Sequence, residues 1–216
     1  MVKADILSPA ARVRPRDAAS LVLIDTSENE PRVLMGRRHS RMKFVPDAFV
    51  FPGGKLDAGD LKARPATPLT GHAAFGVKAS ALALAAVRET FEETGLILAA
   101  KGDVGADSGP GWAPFRERGL APRLDVVSCL ARAITPSSSP IRFHARFFSA
   151  PAGLLEGTLK GSGELEDLGW YRISEALKLP LIDVTEFVLR EVSHASEKRS
   201  RIPLFSYRNN KPLVRA

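Results

Sequence analysis

The chain has 216 residues, and its 31 Lys and Arg residues outnumber its 24 Asp and Glu residues, giving a formal net charge of +7. This length favours one domain with additions, and 44% hydrophobic with 25% charged residues is typical of a globular protein rather than a disordered or fibrous one. No apolar run approaches the roughly 20 residues of a membrane-spanning helix, so we expect no membrane span. The positive charge leaves three anionic partners open: nucleic acid, an acidic membrane surface or a small phosphorylated substrate.

The cysteine content and the N-terminal sequence bear on the compartment. Cys129 is the single cysteine and has no partner for an internal disulfide, as is typical of proteins in a reducing compartment. The first residues include Asp5 and lack the apolar core of roughly 7–15 residues that marks a secretory signal. We therefore predict a cytoplasmic protein.

The N-terminal quarter of the chain is predicted to form an arm followed by short strands. Residues 1–19 are rich in Pro and Arg and are expected to form a loose arm. Apolar runs at 20–25 and 32–35, separated by turn-forming residues, predict two antiparallel strands. A further short strand is expected at 48–51, where it runs directly into a Pro-Gly-Gly sequence.

A long helix is predicted next. Apolar residues recur there at helical spacing and form one stripe, made up of Val77, Ala81, Leu84, Val87 and Phe91. We expect the helix to start near residues 72–77. Gly95 suits the position just past its C-terminal end, because glycine adopts the left-handed conformation found there without strain.

The C-terminal half alternates predicted strands with two shorter helices. Gly, Pro and charged residues at 101–123 predict a loop or insertion with one short helix. Further elements are expected as strands at 96–99, 126–134, 143–149 and 165–171, a short helix capped by Ser174, a helix at about 184–195 and an edge hairpin or partner contact at 206–214. Together these elements predict an α+β fold, an α/β/α sandwich with a mixed, largely antiparallel sheet.

The most informative segment is the C-terminal part of the long helix. Glu89, Glu92 and Glu93 span an arc of about 100° on one helix face. These like charges repel each other and lie near a helix C-terminus, where negative charge is disfavoured. Mg²⁺ would compensate them, because it prefers carboxylate oxygens and shares its coordination shell with phosphate. The alternative is a solvated acidic face on which Arg88 pairs with Glu92.

The spacing of these residues resembles a known motif. The sequence of residues 88–96, Arg-Glu-Thr-Phe-Glu-Glu-Thr-Gly-Leu, resembles the second half of the Nudix box, R-E-U-x-E-E-x-G-U, in which U is apolar. Residues 54–60 resemble its first half, a glycine followed by five residues and an acid. The Phe-Pro-Gly-Gly sequence at 51–54 also matches the family's lead-in loop. The chain thus resembles the Nudix hydrolase family, with a looser similarity over residues 18–195.

The motif departs from the family pattern at three points. Its first acid is Asp60 rather than Glu, and Thr90 occupies an apolar position. The 27 residues at 61–87 separate the two halves, 20 more than in the unbroken motif. Such an insertion is similar to the coenzyme A diphosphatase-like branch of the family. The expected organisation is an arm at 1–19, a Nudix domain at 20–196 with an insertion at about 61–76, and an extension at 197–216.

The resemblance implies a metal-dependent hydrolase that cleaves nucleoside diphosphates linked to another group, such as acyl-CoA or CoA, ADP-ribose or NADH. It implies that Mg²⁺ or Mn²⁺ is held by Glu89, Glu92, Glu93 and the carbonyl of Gly54. Arg88 would orient these glutamates through charge-assisted hydrogen bonds.

The general base and the substrate contacts are less specific. Glu93 is one candidate for the base, and Glu164 and Glu166, which precede a predicted strand, are others or form an exposed strand edge. Four basic residues before the Phe-Pro-Gly-Gly sequence either bind substrate phosphates or form a solvated loop: Arg37, Arg38, Arg41 and Lys43.

The distribution of charge favours a small anionic substrate. Residues 1–43 and 185–216 each carry a net charge of +4, whereas the segment between them carries −1. Basic ends around an acidic motif suit a diphosphate, and the absence of an interleaved aromatic and basic stripe disfavours nucleic acid. The alternative function is a Nudix-fold module that binds a nucleotide or coenzyme with little turnover, and a homodimer is an alternative to a monomer.

Overall fold

The computed structural model describes residues 13–42, 44–70, 78–193 and 201–215. Its strands in chain order are β1 (Arg16–Asp25), β2 (Arg32–Arg38), β3 (Phe49–Val50), β4 (Gly53–Lys55), β5 (Leu96–Ile97), β6 (Ala99–Lys101), β7 (Leu120–Pro122), β8 (Ser128–Ile134), β9 (Phe143–Pro151), β10 (Glu156–Gly157), β11 (Leu165–Arg172), β12 (Leu204–Arg208) and β13 (Lys211–Arg215). Its helices are α1 (Ala79–Thr94), α2 (Ala113–Glu117), α3 (Ile173–Ala176) and α4 (Asp183–Val192).

One nine-stranded mixed sheet organises the fold. Its strands follow the order β11-β2-β1-β9-β8-β12-β13, with β3 paired to β2 and β4 paired to β1. The pairs β1–β9 and β8–β12 are parallel, and the other pairs are antiparallel. Two small sheets, β5–β10 and β6–β7, lie outside it. The mixed, largely antiparallel sheet with helices confirms the predicted α+β class.

The central strand β1 is buried on both faces of the sheet. Leu21 and Leu23 pack into a core that includes the apolar side of α1, and Val22 packs into a second core with α4. Because alternate strand residues point to opposite faces, this burial pattern places helices on both sides of the sheet. The result is the predicted α/β/α sandwich.

Helix α1 carries small, buried residues in its first half and the acidic motif near its C-terminal end. Its alanine-rich first half is buried, and it ends at Gly95, whose φ of 73° and N–H donation to the Phe91 carbonyl confirm the predicted stop. Thr90, at the apolar position of the motif, is buried with its hydroxyl donating to the Ala86 carbonyl at 2.7 Å. Thr90 therefore fills an apolar position without leaving a hydroxyl unpaired.

Several boundaries differ from the predicted ones. β1 begins at Arg16, four residues before the expected start at residue 20, because its first residues pair with both β9 and β4. Ser174 lies inside α3 rather than capping it, and Arg172 occupies the N-cap position. The expected start of the long helix and residues 71–76 of the insertion lie outside the described residues.

The stretch at 101–123 is more ordered than a loop. It contains β7 and α2, and Trp112 and Phe115 are buried in the α1-side core. The two rings meet edge to face with centroids 5.0 Å apart. A sequence rich in Gly and charge therefore supplies two large core side chains.

The C-terminal hairpin forms one edge of the main sheet. β12 runs parallel to β8, and β13 pairs outside it. Asn209 and Asn210 connect the two strands with φ values of 52° and 58°, as a two-residue hairpin turn requires.

Over the described residues, no helix combines the length and apolar character needed to cross a bilayer.

Candidate active site

The C-terminal half of α1 places three carboxylates beside the loop that leads into β4. Glu93 points towards the sheet and is only 6% exposed. The side chain of Glu89 is 17% exposed and that of Glu92 is 39% exposed. Solvent exposure therefore increases from Glu93 through Glu89 to Glu92 along one helix face.

The glycines at 53 and 54 allow the backbone of this loop to approach the glutamates. The Gly53 N–H donates to Glu93 Oε2 at 2.9 Å. A Cβ on Gly54 would overlap the carboxylate of Glu89, so a larger residue at this position would displace the Glu89 side chain. The close approach brings the Gly54 backbone, a predicted ligand, next to Glu89.

Arg88 connects the two halves of the motif. Its guanidinium donates to both carboxylate oxygens of Asp60, at 2.8 and 3.0 Å, and Nη1 donates to Glu92 Oε2 at 2.9 Å. Nη1 also lies 3.1 Å from Glu89 Oε1. Arg88 is 4% exposed and Asp60 is 1% exposed, so this pair is buried. Arg88 thus holds two of the glutamates, and its pairing with Glu92 is one part of a larger network.

Trp112 completes this network from the opposite side. Its indole Nε1–H donates to Asp60 Oδ1 at 3.1 Å, and Trp112 itself is buried. A Cβ on Gly111 would lie 2.9 Å from both Arg88 Cδ and Glu92 Oε1, so the chain before α2 packs directly against the motif. This contact was not predicted, because a loop or insertion with one short helix was expected at 101–123. The available signal was a bulky Trp within a Gly-rich stretch.

Burial sets the protonation of the glutamates. Desolvation raises the pKa of Glu93 to about 8, against a smaller lowering by the Gly53 N–H hydrogen bond. Desolvation raises the pKa of Glu89 to about 7, and the charge of Arg88 opposes it. The pKa of Glu92 is raised for the same main reason. Burial lowers the pKa of Arg88, but its bonds to Asp60 and nearby carboxylates outweigh this, and the net pKa is raised.

The donor set fits a hard divalent cation in its chemistry. Three carboxylates on one face, two with pKa values near or above neutrality, gain most from a positive charge that favours their ionised forms. As they stand, the described residues contain no group of three or more His, Cys, Asp or Glu side chains arranged to hold a metal. The reason is local: Glu89 and Glu92 face Arg88, and Glu93 accepts from Gly53. Binding would require these carboxylates to turn.

The structure separates the predicted phosphate-binding residues. Arg37 is paired with three acids: Asp167 at 2.7 Å, Glu166 at 2.8 Å and Asp47 at 3.3 Å. Arg41 is exposed, and its backbone N–H donates to His39 Nδ1. Lys43 lies outside the described residues. Arg37 is therefore neutralised by neighbouring acids.

Arg38 lies beside the carboxylates. Its Nε donates to the Phe44 carbonyl at 2.9 Å, and burial lowers its pKa while the charges of Glu93 and Glu164 raise it. These electrostatic interactions place Arg38 close to both glutamates. Among the predicted basic residues that the structure describes, Arg38 is the one whose pKa is influenced by Glu93.

The two glutamates at the start of β11, Glu164 just before the strand and Glu166 within it, have different surroundings. Glu166 is held by Arg37 and lies 3.6 Å from His39 Nε2. Glu164 contributes to raising the pKa of Glu93 through its charge, so it lies near the carboxylate face. The Ser162 N–H donates to the Glu93 carbonyl at 3.3 Å, so the segment that carries Glu164 lies against the end of α1, whereas Glu166 belongs to a separate ion-pair cluster.

Comparison with known proteins identifies similar structures. No protein-family model matches the chain. The solved structure of a NUDIX hydrolase from Alicyclobacillus acidocaldarius is similar at 31% identity and a TM-score of 0.68, covering 82% of this chain and 90% of that one. The NUDIX domain of Shewanella oneidensis NrtR, solved with ADP ribose, has a similar fold at 13% identity and a TM-score of 0.52, covering 89% and 95%.

Two curated proteins are also similar. Acyl-coenzyme A diphosphatase NUDT19 from Gallus gallus is 33% identical over 129 residues, which is 47% of this chain and 32% of that protein. A relative from Caenorhabditis elegans is 28% identical over 144 residues, which is 62% of this chain and 43% of that protein. The chain thus matches less than half the length of these curated relatives.

Proposed function

The chain belongs to the Nudix hydrolase family, and from this premise we propose that it hydrolyses the diphosphate linkage of nucleoside-diphosphate-type substrates to two phosphorylated products. The observation that carries this proposal is the buried Asp60–Arg88 pair that holds Glu89 and Glu92 on the carboxylate face of α1. A network of this kind positions several carboxylates at once, as the binding of a polyanion through a cation requires.

We propose that Mg²⁺ or Mn²⁺ is the cofactor, held by Glu89, Glu92, Glu93 and the carbonyl of Gly54. The bound cation would neutralise charge on the diphosphate and on the leaving phosphate. Arg88 acts as a positioning residue, because its guanidinium is engaged by Asp60 and the glutamates. We propose that Arg38 contacts a phosphate of the substrate. Its Nε donates to the Phe44 carbonyl, and the charges of Glu93 and Glu164 influence its pKa.

We propose Glu164 as the group that takes the proton from the attacking water, in preference to Glu166 or Glu93. Glu164 lies near the carboxylate face, whereas Glu166 is paired with Arg37. Glu93 is buried and accepts a backbone hydrogen bond, which suits a ligand better than a base exposed to water.

Glu164→Gln is therefore expected to lower kcat about 100-fold or more, as is typical when a general base is lost. Glu166→Gln is the matched control, two residues away, and is expected to keep kcat within a few-fold of wild type. Steady-state turnover of the two variants at saturating substrate measures the difference. Equal losses in both variants, or a loss only in Glu166→Gln, would overturn the assignment.

The substrate is proposed to be a coenzyme or nucleotide diphosphate. Similarity to a chicken acyl-coenzyme A diphosphatase favours acyl-CoA or CoA, and the ADP ribose bound to a protein of the same fold keeps ADP-ribose and NADH as candidates. A panel of acyl-CoA, ADP-ribose, NADH and dinucleoside polyphosphates, incubated with Mg²⁺ or Mn²⁺ and without either, tests the function. Metal-dependent release of phosphorylated products from at least one compound is the expected result.

A module that binds a nucleotide or coenzyme with little turnover is the second candidate function. Two observations favour it. Each of the three glutamates already contacts another protein group, and the described residues contain no group of three or more His, Cys, Asp or Glu side chains arranged to hold a metal. Tight binding of one panel compound without turnover under either metal would support this module and contradict the hydrolase.

A further inference from the structure

A second charged cluster lies on the side of the sheet that faces α1. Arg132 on β8 is directly opposite Arg146 on β9, and His144 on β9 is directly opposite Asp17 on β1. His144 and Arg146 alternate with residues on the other face of β9, so they share one side of the sheet. The electrostatic influence of Arg132, Arg146 and Asp17 on His144 shows that all four side chains are close together.

The cluster has more positive charge than its one acid can balance. Arg146 Nη1 donates to Asp17 Oδ1 at 2.6 Å, and Lys78 Nζ lies 3.0 Å from Asp17 Oδ2. Within the described part of the chain, the Arg132 side chain has neither an ion pair nor a hydrogen bond. The cluster thus holds three cations and one carboxylate, which pairs with Arg146 and Lys78. Like charges placed directly opposite each other, as in Arg132 and Arg146, are disfavoured without a counter-ion.

The cluster also contains nitrogen atoms that lack partners. Nε of Arg132, Nε of Arg146 and Nε2 of His144 are buried and have no hydrogen-bond partner among the residues that the structure describes. Arg146 is only 9% exposed. Because buried polar groups are nearly always hydrogen-bonded, the two unpaired arginine Nε–H donors in one cluster indicate that an oxygen acceptor is missing there.

A groove lies beside this cluster, next to the end of β4. A cavity of about 390 Å³ is lined by Asp17 and Lys78 at the cluster and by Lys55 at the end of the Gly53–Lys55 strand. The Leu56 N–H donates to the Asp17 carbonyl at 3.0 Å, which holds this segment against β1. The groove therefore adjoins the end of the cluster that Asp17 and Lys78 form.

We propose that Arg132, His144 and Arg146 form an anion site that binds a phosphate or phosphomonoester group. Such a group offers several acceptor oxygens and the negative charge that the cluster lacks, and arginine binds phosphate through the planar fork of its guanidinium. The bound group is either a phosphomonoester of the substrate or free phosphate. The first alternative rests on the proposed function, and the second does not.

Arg132→Gln tests the site, because Arg132 has no ion-pair partner among the described residues that its loss would leave buried. Calorimetric titration with inorganic phosphate, against chloride at equal ionic strength, is expected to show binding to wild type and about tenfold or more weaker binding to Arg132→Gln. The control is Arg190→Gln on α4, on the opposite face of the sheet, which is expected to bind phosphate as wild type does.

A second variant and a stability measurement separate binding from folding. Without phosphate, Arg132→Gln is expected to melt no lower than wild type, since it removes a like-charge contact. Arg132→Lys, which keeps the charge but loses the planar fork, is expected to bind phosphate with intermediate affinity. No phosphate-specific binding to wild type, or unchanged affinity in Arg132→Gln, would overturn the proposal.

Matched substrates identify the source of the anion. CoA and dephospho-CoA differ by one phosphomonoester. A rise in KM for CoA but not for dephospho-CoA in Arg132→Gln would show that the site binds the substrate's phosphate. Weaker binding of inorganic phosphate with both KM values unchanged would show that it binds free phosphate. The phosphate titration decides the site even if the protein turns over neither compound, so the site and the proposed function can fail separately.

Discussion

Replacing Glu93 with glutamine is expected to lower turnover by about 100-fold or more while leaving the protein folded. Glutamine has the same shape, and its amide oxygen can still accept the hydrogen bond from Gly53 that Glu93 accepts at 2.9 Å. The lost carboxylate is the most buried of the three on α1, so its charge is not replaced by a neighbour or by water. The measurement is kcat with Mg²⁺ or Mn²⁺ on the best substrate of the panel.

Stability provides an independent check on this variant. Burial raises the pKa of Glu93 from 4.5 to about 8, so the metal-free folded state binds this proton more tightly than the unfolded state and loses stability as the pH rises through that range. Glu93→Gln is therefore expected to unfold at or above the wild-type temperature without metal. Glu186→Gln on α4 is the matched control and should leave turnover unchanged. Near wild-type turnover in both Glu92→Gln and Glu93→Gln would show that the assignment of the metal site is wrong.

Asp60→Ala is expected to have the largest effect on stability. Asp60 accepts hydrogen bonds from Arg88, from the Trp112 indole and from the Asp57 backbone N–H at 2.8 Å. Its removal leaves Arg88 as a buried cation without its main partner, which typically costs about 3–5 kcal/mol. For a chain of this size that cost corresponds to a fall in melting temperature of roughly 6–20 °C.

Asp107→Ala is the control for this prediction. Asp107 is exposed in the same region of the chain and makes no side-chain hydrogen bond or ion pair with any residue that the structure describes. Its replacement is expected to change the free energy of unfolding by less than about 0.5 kcal/mol. Chemical denaturation of both variants measures the difference. A loss in Asp60→Ala no greater than that in Asp107→Ala would contradict a structural role for the buried pair.

Local patterns in the sequence predicted the elements that depend on neighbouring residues. The helical repeat of apolar side chains and the glycine after it predicted the course and end of α1, because both signals lie within a few turns. The paired asparagines predicted the C-terminal hairpin for the same reason. The spacing of Glu89, Glu92 and Glu93 placed them on one face because helix geometry alone determines it.

Contacts between residues that are far apart in the sequence could not be predicted from local sequence patterns. Trp112 reaches Asp60 across 52 positions of sequence, and no local pattern links a Gly-rich stretch to a buried carboxylate. The sequence also did not separate Glu164 from Glu166, because the difference comes from the pairing of β11 with β2, which sets Glu166 opposite Arg37 while Glu164 precedes the strand. Only the folded chain shows which of the two is held by Arg37.

The net charge of a segment also did not predict which of its cations are paired with acids. The basic residues before the Phe-Pro-Gly-Gly sequence suggested one phosphate-binding cluster, but three acids from elsewhere in the fold surround Arg37. An arginine without an ion pair among the described residues lies instead at Arg132, opposite Arg146 in the sheet. Charge counts do not record which charges are paired, so the two sites could be distinguished only in three dimensions.

The affinity of the protein for Mn²⁺, measured by electron paramagnetic resonance of the free ion, tests most directly whether the carboxylate face of α1 binds a cation. Burial raises the pKa of Glu89 to about 7 and that of Glu93 to about 8, so binding must displace protons and should strengthen as the pH rises towards 8. Glu89→Gln should weaken binding about tenfold or more, and Glu186→Gln should not. Unchanged Mn²⁺ affinity in Glu89→Gln, or affinity independent of pH, would contradict the account.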